Sequence, residues 1–277
     1  MLKRLGLRAI ALGYLFVILL APLGMIFYRT FENGLRPVWE TLSDPNVIHA
    51  FKITLYAAAI AVPLNTVFGV VCGLLIVRRR FPGKGLLNAF IDLPLAISPV
   101  VVGLCFYLLY SRTGWFGGRL TGPGQSFQVL FAMPAIVLAT IFASVPFVAR
   151  EVIPTLRELG TEQEQAAATL GARRWQRFWR ITLPAIRWAI VYGVVLTTAR
   201  ALGEYGTVAV VSGNVEGQTA TATQEVENLV NNFNYAGAYA VSLVLALIAV
   251  GVLVAMTVIK PGHRENFSTM TGFTPTE

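Results

Sequence analysis

Three places in this 277-residue chain put polar chemistry where the surrounding residues are apolar. Arg200 and Glu204 stand four apart inside an apolar run, the spacing that sets two side chains on one face of a helix. Charges at that depth face a bundle interior or a water-filled cavity. There Arg200 would supply positive potential for an anion and Glu204 would fix its orientation; the same spacing equally suits an intrahelical ion pair that binds nothing. Gly203 and Gly206 would let a neighbouring backbone come close or the helix deform. In a second apolar run, Ser98 at a cap and Pro99 at a first helical position would open a half-helix. Its free amides, at Val100 and Val101, would present positive dipole ends to an anion, unless the proline is a kink that only shapes the bundle. Asp92, near the start of that run, reads as an interfacial or helix-start carboxylate.

The third place is the longest polar interruption, about residues 154–183. Thr161 followed by Glu164 is a capping-box pattern, so a helix is expected from Thr161. Ala166, Ala167 and Ala168 favour that helix and leave a shallow surface, and Gly171 can take the left-handed conformation that ends it. A second short segment carries Trp175, Phe178 and Trp179 among Arg173, Arg174, Arg177 and Arg180, a composition suited to the membrane interface. Pro184 suits the first turn of the element that follows. Such a stretch is either an interfacial amphipathic loop or a platform presented to a soluble partner.

The elements that must position these groups are membrane helices. Hydrophobic residues make up 55% of the chain, charged residues only 13%, and the mean hydropathy is +0.64, which excludes an ordinary soluble domain. Six spans are expected, about 10–27, 54–77, 86–110, 129–149, 184–211 and 235–259, each near the ~20 residues a helix needs to cross the hydrocarbon core. They are too long and alternate too rarely for barrel strands, and the backbone must satisfy itself in lipid, so the fold class is an all-α polytopic bundle. Sixteen of the 22 Lys and Arg fall on the amino-terminal side of this arrangement and five on the other, which puts both termini in the cytoplasm. The net charge of +8 then reflects loops beside anionic lipid rather than nucleic-acid binding, since the basic residues are divided among all the inner loops. The first span has a basic start but no small-residue cleavage site, and is expected to be an uncleaved signal anchor. Cys72 and Cys105 fall within spans and read as packing residues. No phosphate loop, no metal-ligand spacing and no nucleophile with its base is present, and His49 and His263 fall in different compartments, so catalysis by this chain alone is not expected.

Gln165-Ala166-Ala167, Gly171, Ile181, Leu183 and Pro184 stand at the spacings Glu-Ala-Ala, three residues, Gly, nine residues, Ile, one residue, Leu-Pro. That pattern resembles the signature of permease subunits of ATP-binding-cassette importers, with Gln165 in place of the usual Glu and Glu164 immediately before it. Two further segments, Asp92-Leu93-Pro94-Leu95-Ala96-Ile97-Ser98-Pro99-Val100-Val101-Val102-Gly103 and Ala199-Arg200-Ala201-Leu202-Gly203-Glu204-Tyr205-Gly206 with Val210-Val211-Ser212-Gly213, are similar to the sulfate/thiosulfate permeases, and among them to the W-type subunit. Molybdate and tungstate permeases share similar wording.

The resemblance implies a type I importer permease: a single transmembrane domain over 1–277 with a cytoplasmic coupling helix in the bacterial inner membrane. It implies alternating access, with Glu164, Gln165, Ala166, Ala167, Gly171, Ile181, Leu183 and Pro184 in the coupling contact and Ser98, Pro99, Arg200, Gly203 and Glu204 at the pathway or gate. The implied partners are a second, T-type permease subunit, two copies of a cytoplasmic ATPase that uses ATP and Mg, and an extracytoplasmic sulfate-binding protein; no cofactor is expected on this chain. The loops at 112–128 and 212–234 would dock the binding protein or merely connect spans, with a short helix over 224–233. The alternatives are a molybdate, tungstate or other oxyanion importer and, from a different class, a secondary transporter or channel, which needs no cytoplasmic signature.

Overall fold

The computed structural model describes residues 13–14, 16–111, 113–117 and 129–259. The beginning of the expected first span, its basic flank, most of the 112–128 loop, and the tail with His263 lie outside the described residues. The rest is helical: α1 (Ala21–Phe31) after a π turn, α2 (Leu35–Leu42), α3 (Pro45–Arg78), α4 (Lys84–Ala96), α5 (Pro99–Tyr110), α6 (Met133–Glu158), α7 (Glu162–Thr169), α8 (Arg174–Arg177), a second π turn (Phe178–Thr182), α9 (Leu183–Leu202), α10 (Gly206–Val211), α11 (Ala222–Asn231) and α12 (Tyr235–Ile259).

Helices α3, α6 and α9 form the centre of the bundle. Helix α3 starts where Asp44 Oδ1 accepts from the Asn46 amide at 2.7 Å and Pro45 takes the first turn, where its missing donor costs nothing. It ends ahead of Phe81-Pro82-Gly83, with Gly83 at φ +90°. The three helices meet at small residues: a Cβ on Gly69 of α3 would lie 2.7 Å from Val148 Cβ, and one on Gly193 of α9 would lie 2.7 Å from Val148 Cα. Val148 of α6 is thus clasped from both sides, the close backbone approach that drives helix packing where lipid removes the hydrophobic incentive. Asn65 Nδ2 joins α3 to α6 by donating to Ser144 Oγ at 2.8 Å and to the Ile141 carbonyl at 3.0 Å. Cys72 is buried among Ile76, Ile91, Ala149 and Ile153, the packing role expected of it, whereas Cys105 is exposed.

The count of six spans is not reached among the described residues. Four helices are long and apolar enough to cross a membrane, Pro45–Arg78, Met133–Glu158, Arg174–Leu202 and Tyr235–Val252, or five if a bent pair counts as one. The bent pair is the expected third span: α4 and α5 meet at 109°, because Pro99 cannot donate to a helical carbonyl and pushes Ser98 into extended backbone at ψ 133°. The described apolar part of the first span, Phe16–Phe31, is shorter than a crossing helix. The fifth span also differs from expectation, since α9 stops at Leu202 rather than continuing to 211. At its other end it is extended: α8, the π turn and α9 run on as a single 29-residue helix. Pro184 therefore stands in the first turn of α9, as expected, but that turn continues from the π turn and is not a free helix start. The Leu183 amide bonds to the Phe178 carbonyl five residues back, and this widened turn makes room for a proline ring that would clash with an ordinary one.

Candidate functional site

The polar platform gathers at the end of the bundle where α3 ends and the long α8–α9 helix begins. Thr161 does stand at the N-cap of α7, but the capping box does not form: its hydroxyl caps no helix amide and instead accepts from Gln165 Nε2 at 2.9 Å. Glu164 is turned inward. Its Oε1 accepts from Thr182 Oγ1 at 2.9 Å and pairs with Arg78 Nη2 at 3.0 Å, and its carbonyl accepts from Arg177 Nη1 at 3.3 Å. One carboxylate thus ties α7 to the end of α3 and to the start of the fifth span. The inward contacts are thus made by Glu164, while Gln165 stays exposed. Charge-assisted bonds among half-buried groups of this kind are roughly twice as strong as neutral ones.

The end of α7 follows the expectation for Gly171. Its φ is +82°, its amide bonds to the Ala168 carbonyl at 3.0 Å, and the Ala172 amide bonds to the Ala167 carbonyl at 3.0 Å, the paired bonds of a Schellman closure. Ala166 is exposed, Ala167 half-buried, and Leu170 protrudes at 88% exposure. Leu170, Gly171, Ala167 and Ile181 border a cavity of about 440 Å³ on this flank. Leu183 and Pro184 lie in the long helix above it. Arg78, Thr182 and Leu170 are the residues that motif reasoning passed over; an apolar side chain standing directly before a helix-ending glycine was the available signal for the last.

The second group of candidates is brought together by the fold. The break after α9 abuts the break before α5: a Cβ on Gly206 would lie 2.8 Å from Pro99 Cβ and 3.8 Å from the Val100 amide nitrogen, and one on Gly103 would lie 2.8 Å from the Thr207 carbonyl oxygen. Gly206 thus permits the close approach foreseen for it. Gly203 does not; a Cβ there would meet only the Ala199 oxygen of its own helix, at 3.6 Å. The half-helix at Pro99 is present, but the Ser98 side chain caps nothing and is exposed; only its carbonyl takes part, accepting from Val102 at 3.1 Å.

Arg200 and Glu204 are paired, Nη1 to Oε2 at 2.5 Å, with the Arg200 side chain 32% exposed and that of Glu204 at 1%. They do not share a helix face, because the helix ends between them. Glu204 lies in the link, where its Oε1 accepts from the Thr207 amide at 2.9 Å and its carbonyl from Thr223 Oγ1 at 2.9 Å. Oε1 is thus committed to the start of α10, while Oε2 is buried against the arginine as an ion pair without a hydrogen bond. Asp92 is neither at a helix start nor free: it pairs with Arg150 of α6 through both oxygens, Arg150 Nε to Oδ1 at 2.6 Å.

Beyond α10 the chain is folded rather than a simple connection. Gln224 is fully buried, its Oε1 accepting from the Thr221 amide at 3.1 Å and its Nε2 donating to Ser212 Oγ at 2.8 Å. Asn214 Nδ2 donates to Asn228 Oδ1 at 2.8 Å, and Thr54 Oγ1 of α3 accepts from the Ala222 amide at 2.9 Å. The short helix spans Ala222–Asn231, two residues ahead of the expected 224–233, because Thr221 and Gln224 form the reciprocal cap. His49 Nε2 lies 3.4 Å from the Gln218 carbonyl in the same region. No cluster of His, Cys, Asp or Glu suited to a metal occurs among the described residues.

The fold matches a bacterial ABC transporter involved in the import of the acidic polysaccharide alginate, with a TM-score of 0.77 over 93% of this chain and 94% of that one at 20% identity. Residues 65–265 match the family described as the binding-protein-dependent transport system inner membrane component, and the chain belongs to that family. It is 47% identical to the sulfate transport system permease protein CysW of Synechocystis sp., over 94% of each chain. It is 43% identical to the CysW of Escherichia coli K12, over 90% of this chain and 88% of the other. To the CysT of the same organism it is 37% identical, over 85% and 84%. The chain is accordingly a membrane component of a transport system and not its ATPase.

Proposed function

We propose that this chain is the W-type translocation subunit of an ATP-driven importer of sulfate and thiosulfate, pairing with a T-type permease. Two cytoplasmic ATPase copies, using ATP and Mg, would drive the pair between inward-open and outward-open states, and an extracytoplasmic sulfate-binding protein would deliver the solute. This chain would sit in the bacterial inner membrane with both termini cytoplasmic, as one permease domain with no cofactor of its own. The end-to-end similarity to sulfate permeases carries the reading.

The geometry supports a mechanism for this subunit. Ala166, Ala167, Leu170 and Gly171 offer a shallow surface to the ATPase, and Glu164 transmits its displacement to Arg78 of α3 and Thr182 of the fifth span. Because α8, the π turn and α9 form one helix, a push at the platform reaches Leu202, next to the Pro99–Gly206 contact. Arg200 would supply positive potential to the passing anion, with Glu204 positioning the arginine rather than touching solute.

Labelled-anion uptake into vesicles holding the assembled complex tests this. Sulfate uptake should require ATP, be competed by thiosulfate, and fall at least ~tenfold in Arg200→Ala. Uptake without ATP would point to a secondary transporter or channel, and preferential uptake of molybdate or tungstate would overturn the solute assignment.

A further inference from the structure

On the other flank of α7, a cavity of about 380 Å³ opens between the end of α3 and the α8 segment. Arg78, Arg79, Arg174 and Arg177 line it, with Leu74 and Phe178 as apolar wall. Glu164 is its single carboxylate among the described residues, and that group is already held by Arg78 and Thr182. Four arginines therefore share one carboxylate, already spent. Arg78 Nε and Arg177 Nε are buried and have no hydrogen-bond partner. A donor shut away from water without an acceptor is costly, so the site lacks negative charge and several oxygen atoms. A tetrahedral oxyanion group supplies both, in the geometry that arginine forks bind best.

The surroundings say which oxyanion. Trp175 and Trp179, 69% and 49% exposed, stand on the same segment as Arg174 and Arg177 and pack with each other and with Phe178 at ring separations of 5.4–6.1 Å. Exposed tryptophans beside arginines mark headgroup depth, and basic pockets between membrane helices receive anionic headgroups. The cavity is also roomier than a bare tetrahedral anion needs. We propose that it binds the phosphodiester group of an anionic phospholipid, which cross-links the end of α3 to the start of the long fifth helix and so stiffens the platform. The two flanks of α7 then divide the work: Leu170 and Ala167 face a protein, and the arginine cavity faces lipid.

The test uses the assembled complex in vesicles of phosphatidylcholine with or without phosphatidylglycerol, with bound lipid counted by native mass spectrometry and ATPase activity read alongside. Arg79→Gln with Arg174→Gln removes two exposed charges outside the Glu164 pair, and Arg80→Gln, one residue away, is the charge-matched control. Phosphatidylglycerol should be retained by the parent and the Arg80→Gln control, stimulating ATP turnover, and retention should fall about tenfold or more in the double variant. Equal retention by the double variant overturns the proposal. Displacement of the lipid by inorganic phosphate or sulfate at matched occupancy, with stimulation preserved, overturns the lipid source in favour of a soluble oxyanion. Loss of the ATPase subunit from the double variant with lipid retention unchanged overturns it in favour of an acidic segment of that partner.

Discussion

The chain has two polar regions of similar length, and they are built on opposite principles. Residues 161–182 are largely exposed: α7 is held to the bundle chiefly through the side chain of Glu164, and the rest runs into the fifth span as one helix. Residues 212–231 turn their polar groups inward, where Ser212, Thr221, Gln224, Asn214 and Asn228 satisfy one another around Thr54 of α3. A region whose polar groups are spent on one another is rigid and has little left for a partner. A short helix held by one carboxylate and showing Leu170 and alanines to its surroundings keeps a surface free for docking. The difference separates a closed polar cap over the helix breaks from an open, lightly held platform at the opposite end.

Substitutions should therefore damage stability at one end and coupling at the other. The largest loss of stability is expected from Gln224→Ala, which strands the Thr221 amide and the Ser212 hydroxyl inside the cap; equilibrium unfolding in mild detergent should show about 3 kcal/mol. A near-neutral result would break the contrast at its rigid end. Glu164→Ala should cost about 2 kcal/mol by leaving Arg78 half-buried without its partner. It should also separate ATP hydrolysis from uptake, a combination that Gln224→Ala does not predict. Gly171→Leu meets open space but must hold φ +82°, so a strain of about 1–2 kcal/mol is expected, with weaker ATPase retention and intact membrane insertion.

Smaller effects sharpen the contrast further. The Glu225 carboxyl, 4% exposed, is pushed above the ordinary carboxylate range by burial, with Glu216 and Asp44 adding to the shift and a hydrogen bond from Asn228 opposing it. The folded chain therefore holds this proton to a higher pH than the unfolded chain does. Its stabilisation is complete below the ordinary carboxylate value and is lost as pH rises through the raised one. Glu225→Gln should remove that slope and gain roughly 1 kcal/mol at neutral pH, measured by melting across a pH series. Leu170→Glu should move stability by less than about 0.5 kcal/mol while abolishing co-purification of the ATPase; a large stability loss would mean that Leu170 belongs to the fold and not to an interface.

How far these regions could be read in advance depends on the range of the forces that shape them. Gly171 was legible as a helix end because a left-handed residue is a local requirement, and Pro99 as a helix start for the same reason. Thr161 and Glu164 satisfied a local pattern as well, yet the capping box lost to a distant competitor: Arg78 and Thr182 offered the carboxylate a charged partner and a second donor. Pro184 marked the first turn of α9, yet not a free helix start, since a π turn leads the helix into it. Gly203 and Gly206 looked equivalent in the chain, but only Gly206 lies against another helix.

Sequence alone determined that the chain is a helical membrane protein, where its polar platform lies and which glycine closes it, because hydropathy, helix period and backbone sterics act over a few neighbouring residues. Tertiary structure decided that Glu164 anchors two spans, that the breaks at Pro99 and Gly206 touch, that Glu204 serves a helix start as well as Arg200, and that four arginines share one cavity. Those outcomes depend on which faces meet when helices pack, and electrostatic and hydrogen-bond partners are chosen by proximity in space, which no spacing along the chain encodes.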